Sequence, residues 1–171
     1  MATYSNPFSF LINALWEALE SNTNFTDLVK EANRIKLDSG FRPFKSTLVE
    51  SSVPEVCILP VGKRLFEESP CDGATIVQSL HITVATGRER TSDLLDVEWR
   101  VIQTIAKAIY ASTGHLQSLT WNAEQIIKNV NILPMEEGLT NDEVNRELRG
   151  WAAILPLEVK MFFTNSLLGV S

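Results

Sequence analysis

Cysteine, histidine and basic residues are scarce in this chain. Its 171 residues include two Cys, two His and 15 Lys or Arg, against 21 Asp or Glu, and the formal net charge is −6. Proteins that bind nucleic acid usually displace phosphate counterions with clustered Lys and Arg. The densest basic stretch here is only Arg88 and Arg90 around Glu89. We therefore expect no specific nucleic-acid binding.

The residues needed for catalysis or metal binding are also few. Cys57 and Cys71 cannot supply four zinc ligands, and His81 and His115 do not stand at metal-ligand spacing. The chain has no GxSxG motif, and its glycines stand singly, so neither a nucleophile elbow nor a phosphate cradle is indicated. We predict no metal, no cofactor and no enzymatic activity.

Long apolar runs are missing as well. No stretch of about 18 uninterrupted apolar residues occurs, so no membrane span is predicted. Residues 1–7 carry no Lys or Arg, unlike a signal peptide. We expect free thiols, a cytoplasmic origin and one domain over residues 1–171, because this length suits a single core.

Helical periodicity is present in two segments. Asn6 is a candidate N-cap and Pro7 suits the first helical position. A second, longer helix begins at Thr91 or Ser92 and is predicted to end before Gly114. The apolar stripe of the first is Phe8, Leu11, Ile12, Leu15 and Leu19; that of the second is Leu94, Val97, Val101, Ile102, Ile105 and Ile109.

Strand periodicity is clearest near the C-terminus. Apolar residues occupy every second position from 151 to 163, which is the period of a strand. Residues 55–61, 75–85 and 130–134 are also predicted to be strands. Residues 61–73 read as an extended linker and 135–145 as a polar link. Strand pairs with helices on one side predict an α+β fold, namely a twisted antiparallel sheet of about four strands with helices packed on one face.

Two polar segments and one aromatic residue are predicted to belong to contact surfaces. The segment 63–72 and the turn 87–90 mix charges of both signs, although an isolated Phe in such a loop is often only an anchor. Trp121 and Trp151 are interface candidates. Core packing is nevertheless favoured for each of the four tryptophans taken singly, and for at least one of the two helical residues Trp16 and Trp99. The candidate residues are Lys63, Arg64, Leu65, Phe66, Glu67, Glu68, Arg88, Glu89, Arg90 and Trp151.

The order of these elements resembles the tail-terminator, or tail-completion, proteins of long-tailed bacteriophages. The resemblance rests on the opening helix FLINALWEALE, the unit PEVCILPVG to TIVQSLHITVATGRER with the helix DLLDVEWRVIQTIAKAI, and the closing strand GWAAILPLEVKMFF. It is a pattern of elements and length, without a diagnostic motif, so it assigns regions and no individual site residues.

The resemblance implies a structural virion protein at the junction of tail and neck, assembled in the host cytoplasm. Such proteins form a homohexameric ring that caps the tail tube, ends its polymerisation and supports head–tail joining. The implied partners are further copies of the chain, the tail tube protein, a neck stopper or connector protein, and the sheath protein where the tail is contractile. DNA would pass through the lumen without specific binding.

Two other functions remain open at this stage. The chain could be a neck stopper or connector of the same particle, or a small α+β ligand-binding or enzymatic domain. Self-association and binding to a tube protein would distinguish the virion protein from the ligand-binding or enzymatic domain. An enzyme would instead show a deep pocket lined by convergent polar groups.

Overall fold

The computed structural model describes residues 6–36, 54–61, 65–69, 72–87, 92–141 and 148–168. Its helices are α1 (Pro7–Glu20), α2 (Thr23–Leu28), α3 (Ser92–Ser118) and α4 (Asn165–Leu168). The strands are β1 (Arg34–Ile35), β2 (Glu55–Pro60), β3 (Leu65–Ser69), β4 (Gly73–Gly87), β5 (Ile127–Ile132), β6 (Glu136–Asn141) and β7 (Leu148–Thr164).

The strands form one open sheet around two long central strands. The order is β1-β2-β4-β7-β5, with β3 also beside β4 and β6 also beside β7. All pairs are antiparallel except β1 with β2, so the sheet is mixed. The predicted α+β class is confirmed, but the prediction of about four strands was too low.

The core lies between the helices and one face of the sheet. Side chains alternate between faces along a strand, and Leu80, Ile82 and Val84 of β4 belong to the same apolar cluster as Leu155 and Leu157 of β7. Helices α1, α2 and α3 contribute the other half of this cluster. For α1 and α3 the apolar stripes predict this packing. The helices therefore cover one face.

The start of α1 is fixed by a cap that the sequence predicts. The Asn6 side chain accepts hydrogen bonds from the backbone N–H groups of Phe8 and Ser9, at 3.1 and 2.8 Å. Pro7 occupies the first turn, where its missing N–H leaves no bond unmade. Seating α1 this way buries Leu11, Leu15 and Leu19 completely.

Three boundaries differ from the prediction. Segments 65–69 and 136–141, predicted as links, are β3 and β6, because the long β4 and β7 supply backbone partners to otherwise polar sequence. Helix α3 continues through Gly114 to Ser118. A glycine destabilises a helix by about 1 kcal/mol relative to alanine, which the packing of the following residues can offset. Here Leu116, two residues after Gly114, is fully buried.

Candidate interaction surface

Helix α3 carries two exposed aromatic side chains on its outer side. Trp99 is 50 % exposed and Tyr110 is 65 % exposed. They stand 11 positions apart, close to three turns of helix, so they project from the same side. The buried stripe containing Val101, Ile105 and Ile109 lies on the other side. Exposed aromatic residues are enriched where proteins meet partners.

Trp99 forms one wall of an open cleft at the start of α3. The cleft has a volume of about 260 Å³. Ile102 and Ala153 are 4 % and 1 % exposed and bring apolar atoms to it from the core. Three segments that are distant in sequence build the cleft, because α3, the β5–β6 link and β7 meet here. Its lining residues are Leu95, Asp96, Glu98, Trp99, Ile102, Met135 and Ala153.

The two carboxylates of the cleft stand in different environments. Glu98 is only 5 % exposed, and its Oε2 accepts a hydrogen bond from the Thr86 hydroxyl at 3.3 Å. Asp96 is exposed, and among the described residues it makes no ion pair. Glu98 therefore ties α3 to the end of β4, whereas the Asp96 carboxylate is exposed at the cleft.

β6 and the start of β7 form a two-stranded ribbon. Within the residues that the structure describes, β4 pairs with β7 as far as Trp151, through Gly87, and β6 pairs with β7 as far as Leu148, through Asn141. β7 has 17 residues and spans about 56 Å, against about 40 Å for the 27 residues of α3. β7 is thus longer than α3.

The structure places only part of the predicted contact surfaces. Lys63, Arg64, Arg88, Glu89 and Arg90 lie outside the described residues. Leu65, Phe66, Glu67 and Glu68 form β3 along the start of β4, and Trp151 lies in β7 opposite Leu139 of β6 and Gly87 of β4. Their role in contacts stays a prediction.

Sequence reasoning missed the cleft, although one signal pointed to it. A core position was favoured for Trp99, and this is wrong because half of its surface is exposed. At 100° per residue, Trp99 falls well away from the stripe of Val101, Ile105 and Ile109. Trp16, by contrast, is 2 % exposed and lies in the core.

Of the groups considered for chemistry, two lie on neighbouring strands, because Cys57 of β2 pairs with Thr83 of β4, two residues from His81. Cys57 is buried on β2, and burial together with the nearby Glu55 carboxylate raises the pKa of its thiol to about 12. His81 lies on β4, and His115 is exposed in the last turn of α3 rather than in a loop. Within the described ranges, no three His, Cys, Asp or Glu side chains are grouped to hold a metal ion. None of the described helices has the length and apolar character to cross a membrane.

Comparison with solved structures finds chains of similar fold. No protein-family model and no curated protein sequence matches the chain. A chain in a solved structure titled "Virion of native gene transfer agent (GTA) particle" is similar, with a TM-score of 0.49 and 13 % sequence identity. The match covers 94 % of this chain and 100 % of that chain. A likeness at this level carries no argument about function.

Proposed function

We propose that the chain is a non-catalytic structural virion protein, a tail terminator of a long-tailed bacteriophage. In this role it forms a homohexameric ring at the junction of tail and neck. The ring caps the tube, ends its polymerisation and presents its other side for head–tail joining. The proposal rests on the sequence resemblance of three segments, which together span most of the chain, and on the architecture of the sheet.

The ribbon formed by β6 and the start of β7 is the observation that carries the proposal. Among the described strands, β6 lies at an outer edge of the open sheet, on the far side of β7 from β4. An edge strand presents a row of N–H and C=O groups that favours pairing with another chain. A head-to-tail ring covers such edges on every copy and stops growing when it closes. A protein that must end a polymer needs this closed symmetry.

Tube assembly in the presence of the purified chain tests the function. Tube protein of the same phage is polymerised with and without the chain, and tube lengths are measured by electron microscopy. We expect shorter tubes with six copies of the chain at one end, because a capped end cannot add a further ring. An unrelated acidic protein at the same concentration is the control.

Two results would contradict the proposal. Tubes that grow to the same length with and without the chain would remove the terminator role. A cap with a stoichiometry other than six would remove the hexameric ring. A chain that leaves tubes unchanged but binds the neck would instead act as a stopper or connector.

A further inference from the structure

The cleft at the start of α3 combines three features that suit a ligand with an apolar stem and a positive charge. One wall is the half-exposed indole of Trp99, Ile102 and Ala153 bring apolar atoms from the core, and the exposed carboxylate of Asp96 makes no ion pair among the described residues. At about 260 Å³ the cleft is smaller than the roughly 300–1,000 Å³ of most small-molecule sites. Its size suits one long side chain.

We propose that this cleft binds an arginine side chain of a partner protein. The inference rests on the proposed function, because it identifies the chemistry by which the assembled ring recognises a neighbouring virion protein. The methylene groups of the arginine lie against Ile102 and Met135. Its guanidinium stacks on the indole of Trp99 and pairs with the carboxylate of Asp96.

The charge of the cleft decides between the possible side chains. A wholly apolar occupant would remove water from the Asp96 carboxylate without replacing its hydrogen bonds, which is unfavourable. A lysine would supply the charge, but its compact and strongly hydrated ammonium has no planar face to stack on the indole and cannot donate two parallel hydrogen bonds to the carboxylate. Arginine has a planar, weakly hydrated guanidinium that suits an aromatic face and a carboxylate at once.

Binding is measured on the intact chain by the indole N–H signals of its tryptophans in nuclear magnetic resonance. The probe is the peptide acetyl-Gly-Arg-Gly-amide, and the matched ligand carries citrulline, which keeps the shape and loses the charge. The Trp99 signal is assigned with the variant Trp99→Phe. We expect the arginine peptide to shift this signal in a saturable way and to leave the signal of the buried Trp16 unchanged.

Variants then test the carboxylate. Asp96→Asn keeps the size of the side chain and is expected to weaken arginine binding by at least about threefold, the range of an exposed charge contact. Asp93→Asn is the control, because Asp93 is also exposed in the first turn of α3 but does not line the cleft. It is expected to leave binding unchanged.

Three results would overturn the proposal. The citrulline peptide could bind as well as the arginine peptide, or Asp96→Asn could bind as tightly as the unmodified chain. A Trp99 signal that moves on dilution alone would show that a second copy covers the cleft. None of these measurements uses tubes, so a failure here leaves the tube-length result intact, and a failure of that experiment leaves arginine binding measurable.

Discussion

The tight turn between α3 and β5 contains two non-glycine residues in the left-handed conformation, and the cost of that conformation can be measured by substitution. Asn122 and Ala123 have φ values of +49° and +67°, in the left-handed region. Trp121 and Glu124 close the turn with two reciprocal backbone hydrogen bonds of 2.9 and 3.1 Å. The turn holds the Trp121 ring edge-on against Phe163, with ring centroids 6.2 Å apart. It thus secures the last residues of β7.

The substitution Ala123→Gly is expected to stabilise the protein. A left-handed conformation costs an L-residue with a Cβ about 1–2 kcal/mol, and glycine avoids this cost. Glycine also makes the unfolded chain more flexible, which offsets about 0.4–1 kcal/mol of the gain. The net increase in the free energy of unfolding is about 0–1.6 kcal/mol, centred near ~0.8 kcal/mol. At ~0.8 kcal/mol, the Tm of a chain of 171 residues rises by about 2–3 °C.

The same substitution in α3 supplies a control of opposite sign. Ala111 is exposed within the helix, and Ala111→Gly is expected to lower the free energy of unfolding by about 0.8–1 kcal/mol. Both variants are compared with the unmodified chain by thermal and urea unfolding, followed by circular dichroism. If Ala123→Gly destabilises the protein as Ala111→Gly does, the strain assigned to this turn is wrong.

Three further predictions concern the sheet, the long helix and the buried thiol. Gly73→Ala should destabilise the protein strongly, because a Cβ there would collide with the Phe163 carbonyl oxygen, whereas Gly114→Ala, with open space around it, should stabilise α3 by about 1 kcal/mol; urea unfolding that ranks them the other way would contradict this. Leu80→Ala should cost about 3–5 kcal/mol, because Leu80 is fully buried opposite Leu157, while Ser79→Ala on the other face should cost far less; equal losses in calorimetry would count against the assigned core. The raised pKa of Cys57 means that its thiol ionises more readily in the unfolded chain, so stability should be unaffected below pH 9.0 and fall as the pH rises from 9.0 toward 12; a Cys57→Ala variant with the same alkaline slope would refute this.

Local sequence determined the elements whose stabilising contacts lie within the element itself. Asn6 and Pro7 define the start of α1 without reference to any other segment, because a cap satisfies its own helix end. The alternation of residues 151–163 predicted a long strand, and β7 is longer still, from Leu148 to Thr164. A period of two places one face in the core whatever the neighbouring strands are.

Only the tertiary structure decided the elements and surfaces that depend on distant partners. The polar segments 65–69 and 136–141 lack a strand pattern and become β3 and β6 because β4 and β7 present backbone groups beside them. The cleft has the same origin, since Trp99, Met135 and Ala153 come from three separate segments. Sequence periodicity shows which side of an element is apolar, but backbone pairing and the meeting of distant segments are set by the packing of the whole chain.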